Sequence, residues 1–171
     1  HRNSGKMESF NQLNSQLVNE NVYAILPDKG GNLLLGTLSA LVSFNPEKKS
    51  FTTIDKEKDG TPFTSQRITI LFRDSHKRLW VGGEEGISVF QQEGIEIEKV
   101  PILPESSVTK TFTNCIYEAA NGIIWVGTRE GFYCFNEKEK KIKRYTTANG
   151  LPNNVVYGLS LIHISEPTRP Y

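Results

Sequence analysis

Apolar and polar positions follow one another along this chain in short blocks that return at an almost constant spacing. The apolar blocks LLLGT, LWVGG and IWVGT align on their glycines, Gly36, Gly82 and Gly127, which lie 46 and 45 residues apart. A phenylalanine follows each glycine by eight residues, at Phe44, Phe90 and Phe135. A fixed period of this length indicates an internal repeat, present here in three consecutive copies.

Each copy of the repeat predicts four short strands. In the first copy these are VYAIL at 22–26, LLL at 33–35, LVSF at 41–44 and a weaker fourth strand at 51–54. A turn rich in Asp, Gly and Asn separates the first two strands, and a charged turn precedes the fourth. Turn residues at this spacing around β-branched and aromatic runs are typical of antiparallel hairpins.

The inner strands are apolar at nearly every position, which is typical of strands buried on both faces. Four-stranded sheets that pack face to face around an axis form a β-propeller, and blades of about 40–50 residues match the observed period. A β-sandwich is the alternative, but it requires no repeat with Trp80 and Trp125 in register. We therefore predict an all-β fold, a β-propeller fragment with three complete four-stranded antiparallel blades of about 45 residues and partial blades at both ends.

The repeat also predicts where the blades begin and end. The three complete blades are residues 17–62, 63–107 and 108–150, preceded by the end of an earlier blade with its link (1–16) and followed by the start of a next blade (151–161). The last ten residues, IHISEPTRPY at 162–171, fit no blade position, and we interpret them as a non-native tail; a native C-terminal tail is the alternative. Because closed propellers have about four to eight blades, we expect neighbouring blades of a longer parent chain to cover the two outer flanks.

Composition and charge exclude several classes of protein. Of the 171 residues, 37% are apolar and 23% charged, with a formal net charge of +1, which is unlike an intrinsically disordered chain. The longest uninterrupted apolar run, Val22–Leu26, is far too short for a membrane-spanning helix, which needs about twenty residues. The balanced charge gives no general attraction to nucleic acid, and we predict no nucleic-acid partner.

The residues that usually carry catalysis or bind metals are scattered. The three histidines, His1, His76 and His163, have no Cys, Asp or His at metal-ligand spacing, and no glycine-rich phosphate loop is present. Cys115 and Cys134 fall on the first and third strands of one blade, beyond disulfide reach, and are expected to be buried free thiols. We therefore predict no catalytic residue, no metal and no cofactor for this segment.

Two further features have a functional and a structural interpretation. Trp80 and Trp125 could be platforms for sugar rings, but their fixed place in successive copies favours wedges packed between sheets. The run EKEKKIKR at 137–144 could contact nucleic acid, but its mixed charges in a turn favour a solvated hairpin.

The turns between the second and third strands vary from copy to copy, while the strands repeat. By blade geometry these turns share one propeller face with the links between blades, and in propellers that face frames the central mouth. Variable loop tips on a constant framework are typical of ligand selection. The candidate ligand-binding residues are therefore Glu84 and Glu85 in the second copy, with Arg129 and Glu130 in the third.

The third copy, NGIIWVGTREGFYCF followed by NGLPNNVVY at 149–157, resembles the two-component regulator propeller repeat. The second copy departs from that pattern at Gly83, where Thr is usual. The first copy departs at Leu34, which replaces Trp, and at Ala40, which replaces the second Gly. The resemblance covers roughly residues 6–161.

The resemblance implies a sensing role. Repeats of this kind build the extracytoplasmic input region of membrane-bound two-component sensors, often hybrid histidine kinases that respond to glycans. It implies a non-catalytic, periplasmic, ligand-sensing segment that binds an oligosaccharide, in a parent that is a membrane-anchored homodimeric sensor histidine kinase. A protein-interaction scaffold is one alternative. A propeller lyase is another, although its reaction needs a His, Tyr, Arg or metal-carboxylate cluster at the mouth, and only His76 is available, on the opposite face.

Overall fold

The computed structural model describes residues 7–11, 15–17, 19, 21–63, 67–103 and 110–159, and in these ranges the chain is almost entirely β-structure. The first sheet holds β1 (Val22–Pro27), β2 (Leu33–Thr37), β3 (Leu41–Asn45) and β4 (Ser50–Ile54). The second holds β5 (Ile68–Arg73), β6 (Leu79–Gly83), β7 (Gly86–Glu93) and β8 (Glu96–Lys99). The third holds β9 (Thr113–Glu118), β10 (Ile124–Thr128), β11 (Gly131–Asn136) and β12 (Lys141–Tyr145).

Within the described ranges, the helical elements are two single 3-10 turns, Lys29–Gly31 and Thr147–Asn149. The prediction of an all-β fold with three four-stranded antiparallel sheets is confirmed. Each sheet lies inside one predicted repeat, while the boundaries between repeats stay predictions. The predicted tail at 162–171 lies outside the described residues.

Strand register fixes which loops share an end of each sheet. Val22 at the start of β1 is opposite Thr37 at the end of β2, and Ile54 at the end of β4 is opposite Leu41 at the start of β3. The turn after β2, the entry into β1 and the exit from β4 therefore lie at one end. In the other two sheets Ile68 is opposite Gly83 and Thr113 is opposite Thr128 in the same way, and the last strand of each sheet runs toward this same end. We call this end, with the turns β2–β3, β6–β7 and β10–β11, the loop-tip face.

The sheets pack against one another in chain order, and aromatic side chains fill the space between them. Strand β5 contacts β1 and β2, and β9 contacts β5 and β6. Trp80 is fully buried between the second and third sheets, with its ring 6.3 Å from that of Phe135. The predicted wedge is thus confirmed for Trp80.

Trp125 occupies the same repeat position but a different environment. It is only half-buried, and it stacks on Phe132 of its own sheet at 4.9 Å between ring centroids. On its other side no described residue forms a further sheet. The expected inter-sheet wedge is therefore not formed by Trp125 within the described part of the chain, although its position in the repeat is the same.

The repeated glycines mark the closest approach between successive sheets. A β-carbon on Gly36 would lie 2.6 Å from Ile68 Cγ2 and 2.7 Å from the Ile68 carbonyl oxygen. On Gly82 it would lie 3.1 Å from Thr113 Cγ2. Because only glycine lets the backbone of the next strand come this near, the period seen in the sequence reports the contact between neighbouring sheets.

Val156 lies against the third sheet in the same way. A β-carbon on Gly127 would lie 2.8 Å from Val156 Cγ1, and the Val156 amide donates to the Thr128 carbonyl at 2.8 Å. Asn114 Nδ2 donates to the Val156 carbonyl at 3.0 Å, as Thr69 Oγ1 does to the Thr113 carbonyl, also at 3.0 Å. Val156 thus takes the place at Gly127 that Thr113 takes at Gly82, and like Thr113 its carbonyl accepts a side-chain hydrogen bond from the preceding sheet.

Charged side chains connect the first two sheets at the end opposite the loop-tip face. Asp28, in the β1–β2 turn, accepts hydrogen bonds from Arg73 at 2.9 Å and from Gln92 at 2.9 Å, both in the second sheet. Arg73 also donates to the Gln92 side chain at 2.7 Å. Each group in this set has a partner, which offsets the cost of removing it from water.

A second set of charged side chains connects the second and third sheets, with the positions of the arginine and the carboxylate exchanged. Asp74 is buried and accepts hydrogen bonds from Trp80 Nε1 at 2.8 Å and from Arg78 Nε at 2.7 Å. The Arg78 fork then donates two bonds of 2.7 Å to the carboxylate of Glu137 in the third sheet. Here the arginine belongs to the earlier sheet, whereas Arg73 belongs to the later one.

This paired geometry shifts the titration of both partners. The hydrogen bond from Arg78 lowers the pKa of Glu137, and the bonds to Glu137 and Asp74 raise the pKa of Arg78. Bidentate, charge-assisted pairs of this kind are among the stronger hydrogen bonds in proteins. The interpretation of 137–144 as a solvated hairpin holds for the exposed turn residues Lys138, Glu139 and Lys140, but Glu137 is a cross-sheet ligand of Arg78.

Candidate functional site

All four candidate residues lie on the loop-tip face. Glu84 and Glu85 form the β6–β7 turn, and Arg129 and Glu130 form the β10–β11 turn, one sheet further along. All four side chains are exposed. The fold therefore brings the two turns to the same end of adjacent sheets, where each can meet a molecule from solution.

Arg67 joins the loop tips of the first two sheets. Its amide donates to the carbonyl of Leu38 in the β2–β3 turn at 2.8 Å, and its Nε lies 3.8 Å from the carboxylate of Glu84. Its guanidinium carbon lies 6.0 Å from the centre of the Tyr23 ring. The backbone of Arg67 has a φ of 45°, a left-handed conformation that is uncommon for residues other than glycine.

Arg67 Nε is also buried without a hydrogen-bond partner among the described residues. A buried donor left unpaired costs free energy, and such positions are found where a ligand or water completes the site. Together with the left-handed backbone, this makes Arg67 a strained, incompletely paired group beside Glu84.

Arg129 is held by an aromatic ring of its own sheet. Its guanidinium carbon lies 4.0 Å from the centre of the Phe112 ring, and its amide donates to the Phe112 carbonyl at 3.2 Å. Thr128 Oγ1 accepts from the Glu130 amide at 3.0 Å and donates to the Gly131 carbonyl at 2.8 Å, which fixes the turn. Arg129 is thus an exposed cation whose position is already set by stacking.

Arg67, Tyr23 and Phe112 were not among the residues predicted from the sequence, because they lie at the first strand of each sheet and not in the variable turns. Arg67 and Phe112 both come immediately before such a strand and lie 45 residues apart, in the same repeat position. That shared position, next to a variable turn, is the signal that could have found them. The loop-tip face therefore combines carboxylates, guanidinium groups and aromatic rings.

The other polar candidates lie away from this face. His76 is exposed in the β5–β6 turn at the opposite end, with Nδ1 3.4 Å from Arg78 Nη2. Cys115 and Cys134 are free thiols on β9 and β11, with β10 between them, as expected, but they are half-buried and not fully buried. Burial raises the pKa of both thiols, which keeps them protonated and weakly nucleophilic near neutral pH.

The described residues hold no group of three or more His, Cys, Asp or Glu side chains arranged to bind a metal ion. Nor do they contain a helix that is both long and apolar enough to cross a membrane.

Comparisons with known proteins agree with this architecture. Residues 106–130 match the family model for the two-component regulator propeller. Histidine kinase P4 of Formosa agariphila is 29% identical over 93 residues, which is 53% of this chain and 7% of that protein. The resemblance seen in the repeat sequence is therefore confirmed over the matched residues, and the three four-stranded antiparallel sheets agree with a propeller segment.

Solved structures share the fold over most of the chain. The extracellular domain of BT4673 from B. thetaiotaomicron, described as a hybrid two-component system, matches with a TM-score of 0.71 at 19% identity, over 91% of this chain and 21% of that one. The extracellular domain of BT3049 from the same organism gives 0.68 at 22% identity, over 87% and 20%. This chain spans about a fifth of the length of these domains.

Proposed function

We propose that this chain is a segment of the extracytoplasmic sensor region of a two-component signalling protein, and that it binds a ligand without transforming it. The family-model match, the histidine kinase relative and the extracellular domains of similar fold all support this assignment. In a Gram-negative cell the corresponding compartment is the periplasm. The parent would be a membrane-anchored, homodimeric histidine kinase in which neighbouring blades cover the two flanks of this segment.

We further propose that the ligand is an oligosaccharide, bound across the loop-tip face. Sugar hydroxyls pair with carboxylates and guanidinium groups, and the apolar faces of sugar rings pack on aromatic side chains. Glu84, Arg129 and Phe112 supply these groups on adjacent sheets. Arg67, whose Nε lies 3.8 Å from the Glu84 carboxylate while 41% of its side chain is exposed, is the observation that carries the proposal furthest, because this cation lies between the loop tips of two sheets and can be reached from solution.

The test uses the complete sensor region that contains this chain. Calorimetric titration with a panel of oligosaccharides is expected to identify at least one that binds. Arg67→Ala and Arg129→Ala should each weaken that binding about tenfold or more, as expected for the loss of a hydrogen bond to a charged group. Lys138→Ala, an exposed cation at the opposite end, is the matched control and should bind within about twofold of the parent.

Two outcomes would contradict the proposal. The first is that no member of the panel binds the complete region. The second is that Lys138→Ala weakens binding as much as the two loop-tip variants, which would indicate a general effect of positive charge and not a site on this face.

A further inference from the structure

The second and third sheets carry very different side chains at one repeat position, Ser88 in the second and Tyr133 in the third. In the third sheet, Tyr133 is almost fully buried, with the guanidinium carbon of Arg144 5.7 Å from the centre of its ring. Arg144 also lies 3.8 Å from the carboxylate of Glu130 and donates hydrogen bonds to the Glu130 carbonyl. The phenol ring, the cation and the loop tip therefore form one filled and mutually paired set.

The equivalent residues of the second sheet lie 45 positions earlier, at Glu85, Ser88 and Lys99. Ser88 stands where the third sheet has Tyr133, so the ring is absent. A cavity of about 340 Å³, open to solvent, lies at this place. The residues that line it include Glu57, Phe63, Glu85, Ser88, Phe90 and Lys99.

The walls of this cavity have two different characters. Phe63 and Phe90 meet edge to face, with ring centroids 5.5 Å apart, and form an apolar wall. Glu57 is held in place because its carboxylate accepts a hydrogen bond from the Lys99 amide at 3.2 Å. Within the described part of the chain, Glu85 and Lys99 form no ion pair with each other or with another residue, unlike their equivalents in the third sheet. Polar groups are thus available opposite an apolar surface.

These properties fit a ligand that supplies the missing ring. The cavity volume is at the lower end of the range of about 300–1,000 Å³ that is typical of ligand pockets, so it suits a single ring and not an extended molecule. Two carboxylates, an ammonium group and a hydroxyl can pair with several hydroxyls of that ring, while its apolar face lies on the phenylalanines.

We propose that this cavity is a subsite for one neutral pyranose ring of the oligosaccharide that the loop-tip face binds. The inference rests on the proposed function and makes it more specific. Glu57 and Glu85 accept hydrogen bonds from ring hydroxyls, and Lys99 and Ser88 donate to ring oxygens. The second sheet has room for this subsite where the third does not, because Ser88 stands in the repeat position that Tyr133 fills in the third sheet.

The experiment fills the cavity from within. In the complete sensor region, Ser88→Tyr introduces the ring that the third sheet already accommodates at this position. Gln91→Tyr adds the same ring to an exposed position of β7, outside the cavity lining, and is the matched control. Binding is measured by calorimetry with the oligosaccharide selected from the panel and by ligand-observed NMR with methyl hexopyranosides.

Ser88→Tyr is expected to abolish the NMR response to the methyl glycosides and to weaken the oligosaccharide at least about tenfold, while Gln91→Tyr leaves both within about twofold. Glu85→Gln keeps the cavity and the fold but removes a charged acceptor, and should weaken the oligosaccharide about tenfold. This second variant decides the question if Ser88→Tyr does not fold, which thermal unfolding reports.

The outcomes separate the two proposals. If the oligosaccharide binds and neither Ser88→Tyr nor Glu85→Gln weakens it, the subsite is refuted and the loop-tip face remains the site. Equal weakening by Ser88→Tyr and Gln91→Tyr also refutes it. If the unmodified sensor region binds no member of the panel, the oligosaccharide proposal fails together with its subsite.

Discussion

Gly36 and Ile68 meet across the boundary between the first two sheets, so closely that a β-carbon on residue 36 would lie 2.6 Å from Ile68 Cγ2. The equivalent glycines make similar contacts. A β-carbon on Gly82 would lie 3.1 Å from Thr113 Cγ2, and one on Gly127 would lie 2.8 Å from Val156 Cγ1. Gly36 and Gly82 are therefore explained by the sheet that follows each of them, because they leave room for its first strand. A β-carbon on Gly127 would meet Cys115 Sγ of its own sheet as well as Val156.

The first prediction concerns this contact. Gly36→Ala should destabilise the chain by about 1–3 kcal/mol, because the added methyl group meets both a side chain and a backbone oxygen that must move apart. Gly82→Ala should cost less, because the neighbouring Thr113 methyl group needs to move by only a few tenths of an ångström. Urea denaturation of the two variants measures the difference. A larger loss for Gly82→Ala would contradict the explanation.

A second prediction separates core from loop tip. Trp80→Ala should cost about 3–5 kcal/mol, because it empties a fully buried space between two sheets. Glu84→Ala should change stability by no more than about 0.5 kcal/mol, as exposed positions usually do. Trp125→Ala should fall between them in this chain, because Trp125 is half-exposed. Chemical unfolding of the three variants gives the order, and equal losses would refute it.

The ion pair between the second and third sheets predicts a pH dependence. The folded-state pKa of Glu137 is lowered below its ordinary value of 4.5, so the stabilisation is complete above pH 4.5 and is lost as the pH falls through the lowered value. Glu137→Gln should therefore be less stable than the parent at pH 7, and this difference should shrink well below pH 4.5.

Urea unfolding at pH 7 and at pH 3 provides the comparison. Glu139→Gln, on the exposed part of the same turn, is the control and should follow the parent at both values. If the difference between Glu137→Gln and the parent does not shrink at any pH below 4.5 at which the parent still folds, the carboxylate does not stabilise the fold through its charge.

Much of the architecture could be predicted because it repeats. The spacing of the glycines and phenylalanines was enough to predict twelve strands in three sheets, and the shared position of Trp80 predicted its wedge. The burial of Trp125 could not be predicted in the same way. It depends on which residues cover the side chain and not only on its place in the repeat.

The polar contacts could not be predicted in this way. Arg78 and Glu137 lie 59 positions apart and pair only because two sheets face each other, a relationship with no local sequence signal. The aligned copies show that Ser88 stands where the third copy has Tyr133. They do not show that Phe63 and Phe90 pack together beside Ser88 and form a wall of a cavity. The position of Arg67 is shared with Phe112 in the repeat, but its contact with Glu84 depends on how the folded chain places the two side chains.

The exposed side of the third sheet predicts that the isolated chain associates with itself. The outer face of the third sheet carries Trp125, Phe132 and Tyr145 in mutual contact, with Trp125 and Tyr145 ring centroids 6.5 Å apart. A half-exposed aromatic surface of this kind favours association. The isolated 171-residue chain should therefore self-associate in analytical ultracentrifugation. Trp125→Gln should shift it toward the monomer, and a chain that is monomeric at all concentrations would contradict this expectation.

The central claim is that ligand sensing needs loop tips from several blades that converge on one molecule. Calorimetric titration of the same oligosaccharide panel into the isolated chain and into the complete sensor region tests it most directly. Each missing loop tip removes contacts and leaves the others less well positioned, so affinity should fall by more than a proportional share. The complete region is expected to bind, and the isolated chain to give no measurable heat of binding. An isolated chain that binds as tightly as the complete region would contradict the account.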